Sequence, residues 1–370
     1  MNVLLTGPFG NVGVSTLKEL LLKNHKIICF DLMTSNNEEQ CKKLQKKGDF
    51  EIIWGDITNP DDVNNLMKDI DVIIHLAGII PPLSEKKPKL AYKVNVGGTQ
   101  NLINAAEKLE KPPRFILASS VSIYGPCMHK KGLRRADDDV CPTDNYTHTK
   151  VDAEKLVKES NLPWLILRLA AVSIPKIPLK LDPIVYEIPL EQRIEFITSQ
   201  DTGRAFANAV DVNALNKVLL IGGGKECQIY QRDFVGGYFD ALGIPMLPDI
   251  AFKMPKNHED WFYTDWMETK ESQELLDFQR TSFKEYIENF KKKMGARRFG
   301  LKMVAPFAKL GLLMMSPYYK FTNENSIRLD RDYYKYLKST IKENNKTINT
   351  LSYKIENLES KLKEINSLVY

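Results

Sequence analysis

Along the first 170 residues, short apolar runs alternate with longer stretches whose apolar positions recur every three or four residues. The runs 2–6, 26–31, 50–54, 71–76, 114–119 and 164–169 are nearly continuous in Ile, Val, Leu and Phe, as strands covered on both faces should be. Between them, 11–24, 59–69, 88–109 and 146–160 have helical spacing. Repeated strand–helix–strand units predict a Rossmann-type, doubly wound α/β domain with a parallel sheet.

Beyond residue 170 the pattern loosens. A proline-rich crossing segment, 173–190, precedes strand candidates at 193–198 and 217–221 and helices at 229–242 and 270–293. From Tyr334 the spacing becomes heptad: Tyr334, Ile341, Ile348, Ile355, Leu362 and Val369 occupy a, and Leu337, Asn344, Leu351, Leu358 and Ile365 occupy d. This predicts a coiled coil, against the alternative of a long helix packed on its own domain. The expected organisation is a nucleotide-binding domain at 1–170, an interleaved substrate-binding subdomain at 171–290, a basic and apolar segment at 291–330, and a coiled coil at 331–370.

Composition is globular, with 43% hydrophobic and 27% charged residues. The net charge of +5 is local: Lys291 to Lys320 holds eight basic and no acidic residues, so 5 − 8 leaves −3 for the rest. The apolar stretch 301–319 within it is interrupted by Lys302, Pro306, Lys309 and Pro317, too often to span a bilayer. Two readings follow. Phe307, Leu310, Leu313 and Met314 enter an anionic membrane surface, which charge and apolarity together favour, or the segment packs on the core or a partner. The segment is too apolar for a nucleic-acid partner. The five cysteines form no C-x-x-C pair and the five histidines have no metal-ligand spacing, so reduced thiols, a reducing cytoplasmic setting and no metal site are expected. Met1 leads into the first strand with no secretory signal pattern.

Chemistry enters at "TGPFGNVG", where Gly7, Gly10 and Gly13 link the first strand to the first helix. There, backbone N–H groups and the helix dipole favour a pyrophosphate. Asp31, ending the second strand, is placed to accept from a ribose 2′-hydroxyl and to repel a 2′-phosphate, which favours NAD over NADP. In "DNYTHTK", Tyr146 and Lys150 are one helical turn apart. A phenol with a pKa near ~10 is a poor base; a lysine ammonium and a positive nicotinamide ring beside it would lower that value. The run 222–224 in "IGGGK" lacks the spacing of a phosphate loop and is expected to be a turn.

Gly-x-x-Gly-x-x-Gly followed by Tyr-x-x-x-Lys resembles the short-chain dehydrogenase/reductase superfamily, in the extended branch of NAD-dependent epimerases and dehydratases. The resemblance covers about residues 1–290. It implies that Asp56 and Ile57 of "GDIT" contact the adenine side, that Ala77 and Gly78 of "HLAG" and Asn95 of "NVGGT" line the cofactor, and that Ser120 of "SSVSIYG" joins Tyr146 and Lys150 in catalysis, with Lys150 also holding the ribose. Dehydration is disfavoured, because Val121 and Ser122 stand where the dehydratases carry an Asp–Glu pair. Ala171 replaces the asparagine usual after the sixth strand of nucleotide-sugar enzymes. The expected activity is hydride transfer at a secondary alcohol, foremost of a nucleotide-activated sugar. Alternatives are a lipid or sterol-like alcohol at a membrane surface, and a non-catalytic NAD-binding scaffold. The resemblance implies a homodimer, which the coiled coil would extend.

Overall fold

The computed structural model describes residues 1–173 and 182–319. The expected coiled coil, 331–370, lies outside the described residues, as do 174–181 of the crossing segment and 320–330 of the basic segment.

Each early apolar run is a strand: β1 Asn2–Thr6, β2 Lys26–Asp31, β3 Glu51–Trp54, β4 Val72–His75, β5 Arg114–Ser120 and β6 Trp164–Leu169. Later come β7 Ala171–Val172, β8 Arg193–Ile197, β9 Lys217–Ile221 and β10 Gln228–Tyr230. Seven of them form one sheet in the order β3-β2-β1-β4-β5-β6-β9, every pairing parallel. The order reverses between β1 and β4, and that edge is where a doubly wound sheet opens a crevice for a ligand. A small second sheet, β10-β8-β7, stands beside it.

Strand side chains alternate between two cores. Val3, Leu5, Ile74 and Leu167 face the layer holding helices Asn11–Leu20 and Ser199–Ala209; Leu4, Ile73, Phe115 and Ile166 face Gly98–Ala106 and Asn145–Glu159. Covering both faces explains why these strands read as continuous apolar runs.

Differences from the expected elements have local causes. The predicted helix 88–109 begins as Pro88–Tyr92, passes through a π-helical turn at Lys93–Gly97, and continues as Gly98–Ala106. The predicted helix 270–293 is two helices, Lys270–Leu276 and Phe283–Met294. Asp277 ends the first in a left-handed conformation (φ 42°), and Ser282 caps the second by accepting from Glu285 N. The helix Ser35–Gln45 was not foreseen, because it buries only Cys41 and Leu44. Residues Ala296–Met315 form a continuous helix despite Pro306. Leu313, expected to face lipid, is instead buried with Tyr186, Phe252 and Tyr319 in a third apolar cluster.

One buried ion pair ties β6 to the helix after β5. Arg168 donates through Nε and Nη2 to Glu154 at 2.8 Å each, and Ser119 on β5 donates to the same carboxylate at 2.6 Å. Arg168 also donates to the Tyr124 hydroxyl at 2.6 Å and the Ala136 carbonyl at 2.9 Å. Burial pushes the Glu154 carboxyl up, but the Arg168 and Ser119 hydrogen bonds and the nearby cations outweigh it and hold the group below its usual range. Removing one partner strands the other charge, so Glu154→Leu should cost about 3–5 kcal/mol in urea unfolding, while Glu154→Leu with Arg168→Met should recover most of that loss. Equal losses in the single and double variants would refute this account.

Candidate functional site

The turn between β1 and the first helix is built to bring backbone close. Gly7 has φ +68°, and a Cβ there would meet Ala77 N at 2.8 Å; a Cβ on Gly13 would meet the Gly7 carbonyl at 2.0 Å. Both positions therefore exclude any side chain. Gly10 is different: the nearest atom to its added Cβ is 3.6 Å away, so its own face is open. Helix Asn11–Leu20 has Gly10 as N-cap with no side-chain cap, which leaves its first amides for an anionic group.

Asp31 ends β2 half-buried beside this turn. Burial raises its carboxyl above the ordinary value, opposed by backbone N–H groups of Leu32 and Phe9. Gly55 N donates to the Asp31 carbonyl at 3.0 Å, which brings Asp56 alongside. The Asp56 carboxylate accepts from Thr58 N at 2.8 Å, and the Ile57 carbonyl accepts from Asn101 at 3.0 Å. Gly7, Asp31, Asp56 and Ile57 thus line the C-terminal ends of β1, β2 and β3, with Ala77 and Gly78 following β4.

On the other side of the switch point, Ser120 ends β5 and Tyr146 and Lys150 lie on helix Asn145–Glu159. Asp144 starts that helix, accepting from Thr147 N at 2.7 Å in a reciprocal capping box. The Ser120 hydroxyl stands near the Tyr146 phenol, where it opposes the rise of the phenol pKa, and lies 2.8 Å from the Ser122 hydroxyl. Lys150 is buried; its Nζ donates to the Ala118 carbonyl at 2.9 Å and sits 5.7 Å from the centre of the Tyr146 ring.

The electrostatics differ from the sequence expectation in one respect. Burial pushes the Tyr146 phenol up to about 12, opposed by the Ser120 hydrogen bond and reinforced by Asp144. Burial lowers Lys150 to about 8, with Glu154 opposing. The lysine alone therefore does not make a phenolate; desolvation wins in the chain by itself. A cationic group beside the phenol would oppose that desolvation.

Several residues behind the site escaped sequence reading. Thr6 Oγ1 lies 2.8 Å from His75 Nδ1, and His75 Nε2 lies 3.0 Å from Thr99 Oγ1, which donates to the Asn95 carbonyl at 2.6 Å. The Asn95 amide then holds both polar groups of Ile79, accepting from its N–H at 2.7 Å and donating to its carbonyl at 2.9 Å. It also donates to Thr149 at 2.9 Å, and Thr149 donates to the Tyr146 carbonyl at 2.7 Å. Burial drives His75 down to about 3, with Lys150 adding to the shift, so the ring is a neutral relay in this chain of hydrogen bonds. Asn95 thereby joins the loop after β4 to the tyrosine helix, its side chain engaged within the protein. Glu85, on the short helix Leu83–Lys86 that follows that loop, accepts from Asn145 N at 3.2 Å, Asn145 Nδ2 at 2.8 Å and Tyr146 N at 3.1 Å. Sixty residues of separation hide Glu85 from any local pattern, whereas a polar His75 amid the apolar run 71–76 is a usable signal for the relay. Among the described residues no cluster of His, Cys, Asp or Glu could hold a metal ion.

Comparison with known proteins agrees with this layout. Residues 4–166 match the 3-beta hydroxysteroid dehydrogenase/isomerase family. A 3-beta-hydroxysteroid dehydrogenase of Mycolicibacterium neoaurum is 33% identical over 168 residues, 43% of each chain. A CDP-paratose 2-epimerase of Salmonella typhi is 32% identical over 129 residues, 34% of this chain and 38% of its own. The chain thus spans less than half the length of these curated relatives. Among solved structures, a Bacillus cereus UDP-glucuronic acid 4-epimerase in complex with UDP-glucuronic acid and NAD superposes with a TM-score of 0.64, at 23% identity, covering 82% of this chain and 100% of that one. DesIV, a dTDP-glucose 4,6-dehydratase of Streptomyces venezuelae with NAD bound, gives a TM-score of 0.67 at 19% identity, covering 81% and 98%. At these identities the structures speak for the fold alone. Residues 4–166 are thus similar in sequence to the 3-beta hydroxysteroid dehydrogenase/isomerase family, and the chain shares the fold of these NAD-bound epimerase and dehydratase structures.

Proposed function

We propose that this chain is an NAD-dependent oxidoreductase or epimerase that transfers hydride at a secondary alcohol carbon, with Ser120, Tyr146 and Lys150 as the catalytic residues. The observation that carries the reading is the placement of Ser120 at the end of β5 beside the helix that holds Tyr146 and Lys150, with Lys150 Nζ 5.7 Å from the Tyr146 ring centre, across the switch point from the Gly7–Gly13 turn. NAD, when bound, supplies the hydride acceptor and a positive ring. Its pyrophosphate fits the uncapped helix start behind Gly7, Gly10 and Gly13, where side chains are excluded or the surface is open. Asp31 would take the ribose hydroxyls, with Asp56 and Ile57 on the adenine side, and Ala77 and Gly78 along the middle.

Each protein group then has a task. Ser120 donates to the substrate oxygen and holds it against Tyr146. The Tyr146 phenolate accepts the alcohol proton as the carbon loses hydride. Lys150, released from the Ala118 carbonyl, donates to the ribose, and its charge favours the phenolate. Asn95, His75 and Glu85 fix the helix start that carries Tyr146.

Two substrate classes suit this chemistry. A nucleotide-activated sugar is supported by the similarly folded Bacillus cereus epimerase, whose structure holds UDP-glucuronic acid. An apolar alcohol is supported by the arginines of 182–290. Arg193 pairs with Asp265, Arg204 with Asp201 and Glu19, Arg232 with Glu191 and Asp249, and Arg280 with Asp277. No arginine of that segment is left to neutralise a diphosphate. The apolar reading includes a peripheral place on an anionic membrane; the dimer expected from the family would be lengthened by the tail.

Tyr146→Phe should lower turnover by about 10²–10⁴-fold while NAD affinity, read by fluorescence quenching, stays within a few fold. A variant that turns over at the parent rate would refute the mechanism. NAD binding without turnover of any sugar nucleotide or 3β-hydroxysteroid would support the scaffold reading instead. Comparing kcat/KM for a UDP-sugar and a 3β-hydroxysteroid separates the substrate classes: the arginine pairing predicts the steroid. Accumulating NADH marks a dehydrogenase, and its absence during product formation an epimerase.

The pH profile has a definite sign. With the phenol near 12 and Lys150 near 8, the free chain has Tyr146 protonated and Lys150 charged at neutrality. For oxidation, kcat/KM should climb about tenfold per pH unit below the lysine pKa and flatten above it, where the ammonium is lost. A profile falling from pH 6 to 8 would contradict the assignment of Tyr146 as base.

A further inference from the structure

Among the described residues, the C-terminal helix Ala296–Met315 packs on the protein along one side. Leu313 is buried in the cluster around Tyr186 and Phe252, Leu301 packs near Met294 and Phe290, and Ala305 is fully buried. Polar ties fix the same side: Tyr186 donates to the Leu312 carbonyl at 2.7 Å, Arg298 to the Asp240 carbonyl at 3.0 Å, and Ser316, just past the helix end, to the Ala251 carbonyl at 2.6 Å.

At about 100° per residue, the outward side is a sector of about 160° from Phe299 round to Met315, and every residue inside it is apolar. Phe299 is 71% exposed, Met303 37%, Val304 48%, Met314 68% and Met315 40%. Arg297 stands at one edge of the sector, and Arg298, Lys302 and Lys309 lie on the other side of the helix. Twenty residues of helix make this strip about 30 Å long. Water-facing helices place charge where this one places Phe and Met.

We propose that this strip lies in the surface of a bilayer containing anionic phospholipid, with the helix axis parallel to the membrane plane. This deepens the peripheral-membrane part of the proposed function and does not depend on the redox chemistry. Charge decides the occupant. Residues 291–320 carry eight basic and no acidic side chains, and Lys292, Lys293, Arg297 and Lys302 are exposed without an ion pair among the described residues. Anionic headgroups complement that surface, each cation near them adding to the attraction. Residues 321–370 carry nine basic and seven acidic side chains, so the chain's own tail has no net negative charge to complement that surface. Insertion across the bilayer is not what the helix is built for: no helix among the described residues is long and apolar enough to cross a membrane.

The test is flotation of the full chain with phosphatidylcholine vesicles, with and without phosphatidylserine. The chain should float with the anionic vesicles, float poorly with the neutral ones, and come off at high salt. Phe299→Glu with Met314→Glu should weaken anionic-vesicle partitioning at least about tenfold, since each places a charge where an apolar side chain would enter the interface. Both positions are exposed, so the thermal unfolding midpoint should match the parent, which separates lost binding from lost folding. A double variant that floats like the parent, or a parent that ignores anionic vesicles, overturns the proposal. A parent whose mass in solution is dimeric and falls to monomeric in the double variant assigns the strip to a second copy, and overturns it equally.

Discussion

The arrangement around Tyr146 depends on two charges taken out of water together. Arg168 and Glu154 are each about 3% exposed in their side chains, and either alone would carry a large desolvation cost. Their two-pronged contact lets β6 and helix Asn145–Glu159 approach only in one register, because a bidentate pair tolerates little sliding. Ser119 is drawn into the same carboxylate, and its neighbour Ser120 is thereby aimed across the sheet end toward Tyr146. The ion pair acts as a locating pin whose net stabilisation is secondary to its geometry.

From that pin, a second set of polar contacts runs back to the glycine turn. Thr6, His75, Thr99, Asn95 and Thr149 form an interior hydrogen-bonded path from the end of β1 to the Tyr146 carbonyl. Each member would be costly if left unpaired in this interior, so the path is rigid or absent as a whole. It spans the two halves of the crevice. The π-helical turn at Lys93–Gly97 carries Asn95, which bonds both Ile79 and Thr149.

The C-terminal part follows a different logic. Helix Ala296–Met315 uses one face to complete the cluster around Tyr186 and leaves Phe299, Met314 and Met315 exposed on another. The apolar character noticed along 301–319 was real, but it had two destinations. Linear sequence could not divide Leu313, which is buried, from Met314, which is exposed one residue later, because that division depends on where Tyr186 and Phe252 stand.

Much of the fold was written in the chain. Continuous Val, Ile and Leu runs at β1 to β6 follow from burial on both faces of a parallel sheet, and a period of two or 3.6 is a local property of backbone geometry. Gly7 and Gly13 were legible because only a residue without Cβ fits those close approaches, and Tyr146 and Lys150 because four residues is one helical turn. Other features had no local signature. Glu85 meets Asn145 and Tyr146 across sixty positions, the Arg193–Asp265 pair joins β8 to a loop seventy residues on, and the Tyr146 phenol rises toward 12 where the Tyr-Lys spacing pointed down. Spacing along a chain records which groups can meet on one element; only the packed interior sets how much water they keep, and that desolvation decided the charge states and partners at this site.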